Sequence, residues 1–174
     1  MASPLPSPRA RGTSSQTLRR PQPIVYFIGL TAALAGLLFG LDVGVISGAQ
    51  EFIQKDFQVS DDVIQLIVSA LLWGAAFGAL FSGVLSSRLG RRKTILISAI
   101  NFVIGALLCA FAPNEHVLMG ARFVLGIAVG VASFTAPLYL SEVAPQSVRG
   151  SLISMYQLMI TIGIVIAFLS NTFL

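Results

Sequence analysis

Two charged side chains, Asp42 and Arg122, lie inside apolar stretches of this 174-residue chain, and a carboxamide, Gln157, sits near the start of another. A carboxylate in an apolar setting that faces a guanidinium can act as a proton-exchange device. Burial disfavours its anion, the cation favours it, and one proton gained or lost breaks or makes an ion pair. A charge at bilayer depth costs about 2.5–3.5 kcal/mol even on a lenient insertion scale, and as a rule it marks a pathway or pairs with another charge. Gln157 supplies two donors and an acceptor, a set suited to a hydroxyl-rich ligand and equally to joining one helix to another. His116 stands alone in a short loop, and Cys109 lies in an apolar run as a small core residue. No second His or Cys is placed to complete a metal site, and no G-x-x-x-x-G-K-[ST] loop is present for a nucleotide, so no cofactor is expected.

The elements that must position these groups follow from composition. Hydrophobic residues make up 55% of the chain and charged residues 10%, against roughly 25% charged in an average soluble domain. That is more apolar surface than one soluble core hides, which makes lipid the solvent for most of the chain. Five apolar stretches, 24–49, 63–86, 94–112, 117–140 and 152–174, each approach the ~20 residues a helix needs to cross hydrocarbon. The expected fold is therefore an all-α multi-pass membrane protein with no soluble catalytic domain. Residues 1–23 are rich in Pro, Ser and Arg, lack any acidic residue, and read as a disordered tail. The apolar run behind them is too long for a cleaved signal peptide.

The formal charge of +4 is a topology signal. Arginines fill the tail, Arg88, Arg91, Arg92 and Lys93 fill the second loop, and Glu142 and Arg149 flank the fourth. The first loop carries Glu51, Lys55, Asp56, Asp61 and Asp62, and the third carries Glu115 and His116. The positive-inside rule then places the N-terminus and the second and fourth loops in the cytoplasm. No basic stripe is interleaved with aromatics, so nothing argues for nucleic acid.

Asp42 lies seven residues before the outer end of its stretch and Arg122 about five after the outer start of its own. At 1.5 Å per residue both sit about 8–10 Å below the outer surface. An ion pair between the first and fourth helices is expected, the alternative being an Arg122 that snorkels to the interface. The first stretch places Gly36, Gly40, Gly44 and Gly48 on every fourth position, a stripe for close helix packing, and Asp42 points away from it with Phe39 and Ile46 on its side. The fourth has Gly126 and Gly130 between Arg122 and Pro137. Two glycine-interrupted helices three spans apart, each with one charge, match the inverted repeats of secondary transporters, whose site lies at the repeat interface. Gly74 and Gly78 are expected only to pack.

Four strings carry a more specific signal: AGLLFGLDVGVISGA (35–49), GVLSSRLGRRK (83–93), GVASFTAPLYLSEVAPQSVRG (130–150) and SMYQLMITIGI (154–164). From residue 25 onward the chain resembles the sugar-porter family of the major facilitator superfamily, and within it looks most like the bacterial galactose/proton and arabinose/proton symporters. The resemblance implies the first five helices of a six-helix N-terminal half, in a multi-pass protein of the plasma (bacterial inner) membrane that is a transporter and not an enzyme. It implies secondary active transport of a monosaccharide by proton symport, with a C-terminal half as partner. By it Asp42 is the carboxylate that takes up and releases the coupling proton, with Arg122 as its partner. Gln157 hydrogen-bonds sugar hydroxyls, Phe39 and Ile164 line the sugar site, and Arg91, Arg92, Glu142 and Arg149 form a cytoplasmic gate. One departure is Ser87, where the superfamily often carries Asp. The alternatives are a facilitative sugar or polyol uniporter and a membrane fragment without transport of its own.

Overall fold

The computed structural model describes residues 23–173; the tail expected over residues 1–23 lies, up to residue 22, outside the described residues. Five helices follow one another: α1 Pro23–Phe57, α2 Asp61–Leu89, α3 Arg91–Ala110, α4 Glu115–Val143 and α5 Arg149–Phe173. All five are long and apolar enough to cross a membrane. They overrun the apolar stretches at most ends, because polar helix formers continue the backbone after the hydropathy has fallen. The longest overrun is at α1, whose 35 residues rise about 52 Å, well beyond the ~30 Å of hydrocarbon. Its last turns carry Glu51, Gln54, Lys55 and Asp56.

The helix ends follow local chemistry. α1 stops at Gln58, a non-glycine residue with φ of 51°, and the acidic pair Asp61 and Asp62 opens α2 where the helix dipole favours it. Gly90, at φ 84°, is the whole turn between α2 and α3, a conformation glycine alone adopts cheaply. Asn114 caps α4 by accepting from the Val117 N–H at 3.1 Å. Pro145 follows α4, where it cannot continue the helix, and its carbonyl accepts from the N–H groups of Val148 and Arg149 as α5 begins.

Packing departs from chain order. α1 lies along α5 and α2 along α4, and α3 leans on α4, whereas the sequential neighbours α1 and α2, and α4 and α5, touch sparingly. Glycine explains both main pairings. Backbone and side chains of Tyr156, Ile160, Gly163 and Ala167 in α5 occupy the places where Gly36, Gly40 and Gly44 of α1 would carry a Cβ. Gly74 and Gly78 of α2 meet the Phe123 and Ile127 carbonyls of α4, and Gly126 and Gly130 meet those of Leu71 and Ala75 in return. In both pairs residue numbers rise together, so the paired helices run parallel. Such backbone-to-backbone approach is how helices associate in lipid, which offers no hydrophobic drive between them. The outer face of α3, with Leu96, Ile100, Val103, Leu107 and Phe111, is exposed and wholly apolar, as a lipid-facing surface must be.

Candidate functional site

The stripe that fixes α1 on α5 also fixes where Asp42 points. At about 100° per residue, Asp42 lies well off the Gly40–Gly44 line that meets α5, and it faces α4. There Arg122 is held one turn before Gly126, the residue that anchors α4 on α2. Arg122 Nη1 donates to Asp42 Oδ2 at 3.5 Å, with side-chain exposures of 9% and 17%. Arg122 is buried and paired and does not snorkel. The contact is longer than the 2.7–2.9 Å typical of a charge-assisted bond, and Arg122 Nε, buried, has no protein partner among the described residues. Two charges so placed keep the desolvation penalty of burial while their attraction is only partly realised, which makes the pair easy to part.

An apolar plug lies one to two turns toward the cytoplasm from the pair. Leu71, Leu125 and Val129 form a buried cluster on which Phe39, Phe102 and Cys109 pack. Phe39 is one turn from Asp42 on α1, and Leu125 is one turn from Arg122 on α4. Cys109 of α3 packs on the same cluster, half-buried. The sequence reads it as a small apolar core residue, and the packing agrees.

Gln157 is exposed on α5, about 12 Å along the helix from its start. An exposed amide at that depth fits a water-filled cavity or a partner surface and does not fit lipid. Gln157 and the half-buried Ile164 lie about 100–120° to one side of Gly163, while Phe39 and Ile46 lie about 100–120° to the other side of Gly40. For two parallel helices meeting at Gly40 and Gly163 these directions fall on the same side of the pair. Helix geometry thus turns Phe39, Gln157 and Ile164 to one side of the α1·α5 pair, where Phe39 packs on the Leu71–Leu125–Val129 cluster and Gln157 is exposed. A groove of about 200 Å³ between α1, α3 and α4, reached by Leu38, Phe102 and Tyr156, is lined almost wholly by carbon and offers little to a hydroxyl-rich ligand.

The four cytoplasmic residues do not form a single network here. Arg91 Nε pairs with Glu142 Oε1 at 3.0 Å and its Nη1 donates to the Ser86 carbonyl at 3.1 Å, tying the α2–α3 turn to the end of α4. Arg149 donates to the Ala144 carbonyl at 3.5 Å instead of to Glu142, and its Nε is buried without a protein partner among the described residues. Arg92 is exposed and stands apart. Ser87 is exposed and bonds back to the Val84 carbonyl.

Two polar contacts between helices carry no motif. Asn171 Nδ2 of α5 donates to the Gly44 carbonyl of α1 at 2.9 Å, and Asn101 Nδ2 of α3 donates to the Val124 carbonyl of α4 at 3.4 Å. An Asn in an apolar helix is the available signal for each, because a buried amide needs a partner.

The sequence profile described as "Sugar (and other) transporter" matches residues 28–174. The galactose-proton symporter of Escherichia coli K12 is 54% identical over 168 residues, covering 97% of this chain and 35% of that protein. The arabinose-proton symporter of the same strain is 54% identical over 157 residues, covering 90% of this chain and 33% of the other. Among solved structures, the inward open conformation of the xylose transporter XylE from E. coli superposes with a TM-score of 0.77 at 31% identity, over 86% of this chain and 40% of that one. The chain spans about a third of the length of the curated relatives it matches.

Proposed function

The chain belongs to the sugar (and other) transporter family, with a major-facilitator fold, multi-pass in the membrane and not an enzyme, and from that premise we propose that it supplies the proton-coupling part of a monosaccharide–proton symporter of the bacterial inner membrane. The observation that carries this reading is the Asp42–Arg122 pair, a carboxylate and a guanidinium facing each other across two helices at bilayer depth. As an anion Asp42 holds Arg122. Taking up a proton removes one partner's charge, frees the guanidinium and changes the relative energies of two conformations, so that proton occupancy biases which of them is populated.

On the same reading Gln157 donates and accepts hydrogen bonds with sugar hydroxyls while Phe39 and Ile164 supply the apolar walls, all on one face of the α1·α5 pair. That face is exposed at Gln157 and covered by α2 and α4 at Phe39, and the sugar seat is completed by a complementary part of the kind the relatives carry in the two thirds of their length beyond the match. The Arg91–Glu142 pair and Arg149 belong to a cytoplasmic latch. Galactose, arabinose, xylose and glucose are the candidate substrates.

The test is Asp42→Asn in the full-length protein in energised membrane vesicles. Uphill accumulation of labelled sugar driven by an inward proton gradient should be lost, while exchange of labelled for unlabelled sugar persists. Undiminished accumulation in that variant would overturn the reading.

A further inference from the structure

The five helices divide into two packed units, α1 with α5 and α2 with α3 and α4, and the seam between the units is closed differently at its two ends. Each unit is pinned along its length. Gly36, Gly40 and Gly44 lock α1 to α5 by backbone contact, and the Asn171–Gly44 hydrogen bond extends the lock to the outer end. Gly74, Gly78, Gly126 and Gly130 lock α2 to α4, and the Gly105–Leu125 contact with the Asn101–Val124 bond adds α3.

Contacts across the seam are few. At the cytoplasmic end an apolar cluster spans it: Leu140 and Ala144 of α4 are buried against Leu152 and Tyr156 of α5, with Ile28 of α1 packed on them. At mid-depth Phe39 crosses to the Leu71–Leu125 cluster. Toward the outer side the polar contact of the seam within the bilayer is the 3.5 Å Asp42–Arg122 bond. Gln54 also bonds to Asp61, beside the short α1–α2 connection and outside the membrane.

We propose that this seam is a hinge inside the helical body, in which the cytoplasmic cluster around Leu140 and Tyr156 is the pivot, the Asp42–Arg122 pair is the clasp, and neutralising Asp42 parts the outer half of α1·α5 from α2·α3·α4. The proposal rests on the reading of Asp42 as the proton carrier only for its trigger; the two units and the pivot stand on packing alone. Within the bilayer the clasp is one long bond between groups that water would solvate well, so its loss lets the α1–α4 seam admit water while the Gln54–Asp61 bond and the short α1–α2 connection stay in place. The pivot is mainly apolar, with the Tyr156 phenol as its one polar side chain among the described residues, and it contains no carboxylate for the coupling proton to neutralise. The charged group facing Asp42 is Arg122 on α4; the ionisable side chain that α3 brings to the neighbouring cluster is Cys109. α2 and α5 bring charged side chains only at their ends, Asp61, Asp62, Arg88 and Arg149.

The test measures distances between spin-label pairs in the full-length protein in lipid nanodiscs, on a background in which Cys109 and every other native cysteine are replaced by Ser. One pair spans the outer seam, at Phe52 of α1 and Val117 of α4; one spans the cytoplasmic seam, at Phe27 and Val143; one lies within a unit, at Phe52 and Thr172. All these positions are exposed or partly exposed. Adding Asp42→Asn at constant pH should lengthen the outer-seam distance by several ångströms and leave the other two unchanged. Lowering the pH should lengthen it in the parent and no longer in the Asp42→Asn protein. An outer-seam distance identical in both proteins, or equal lengthening of the within-unit pair, would overturn the hinge. Sugar accumulation in the same samples separates the two readings. Lost accumulation with unmoved distances removes the hinge and leaves the coupling role standing, whereas retained accumulation removes the coupling role itself.

Discussion

Asn171 reaches from the outer end of α5 to the main-chain oxygen of Gly44 in α1, at 2.9 Å, two residues from the carboxylate that faces Arg122. The bond fastens α1 to α5 at the level of Asp42, so the direction in which the carboxylate points depends on an amide in a helix 127 residues away in sequence.

Asn171→Ala should therefore act on stability and on coupling together. Interhelical hydrogen bonds in membranes are worth about 0.6–2 kcal/mol, and the melting midpoint of the purified protein should fall accordingly. Proton-driven accumulation should fall more than sugar exchange, because the change bears on Asp42 and not on the sugar face. An unchanged midpoint would show that the bond contributes nothing.

The glycines sort into two groups by their surroundings. Gly40 and Gly126 face backbone of the partner helix, while Gly83 has no neighbour within 4 Å of the point a methyl carbon would occupy. Gly40→Ala and Gly126→Ala should each destabilise by about 1–3 kcal/mol through overpacking. Gly83→Ala should be neutral or slightly stabilising, since alanine is the better helix former. Thermal unfolding of the three variants side by side checks the ordering.

Gln157 is exposed and unpacked, so Gln157→Leu should leave the unfolding midpoint where it is. Losing one or two neutral hydrogen bonds to a sugar, at about 0.5–1.5 kcal/mol each, should raise the half-saturating sugar concentration by between about twofold and about a hundredfold. A shifted midpoint with unaltered sugar affinity would instead mark Gln157 as a packing residue.

At the cytoplasmic end Arg91 and Glu142 are both partly exposed, and such pairs are worth about 0–1 kcal/mol. Glu142→Ala should hardly alter stability, yet it should open the cytoplasmic side, read as faster labelling of single cysteines placed there by a membrane-impermeant reagent. Exchanging the charges, Arg91→Glu with Glu142→Arg, should restore the slower labelling. If the exchange fails to do so, the two residues do not act as a pair.

The number of helices, the loop charges and the Asp42–Arg122 encounter are legible in the chain because hydropathy and lone charges in apolar runs report them directly. The pairing of helices is not. A stripe such as Gly36–Gly48 announces close approach without naming the partner, and chain order would nominate α2. The true partner is set by where α5 has small residues of its own, Gly163 and Ala167, opposite Gly40 and Gly44. The extension of α1 to Phe57 is hidden because Gln50, Glu51, Gln54 and Lys55 favour helix while ending the apolar run. The cytoplasmic gate comes from resemblance, and the structure joins Arg91 to Glu142 while leaving Arg92 and Arg149 outside that pair.

The α1·α5 pairing also sets an order of biogenesis. α2, α3 and α4 are contiguous and can close on one another once the chain has been made as far as Val143. α1 leaves the ribosome first and must wait for α5, the last made of the five, with its glycine stripe open to lipid or to the insertion machinery throughout. During that interval Arg122 is the nearest group able to shelter Asp42 from hydrocarbon. The contact proposed above for proton exchange thus also gives the first helix a polar partner in the membrane until its packing partner arrives.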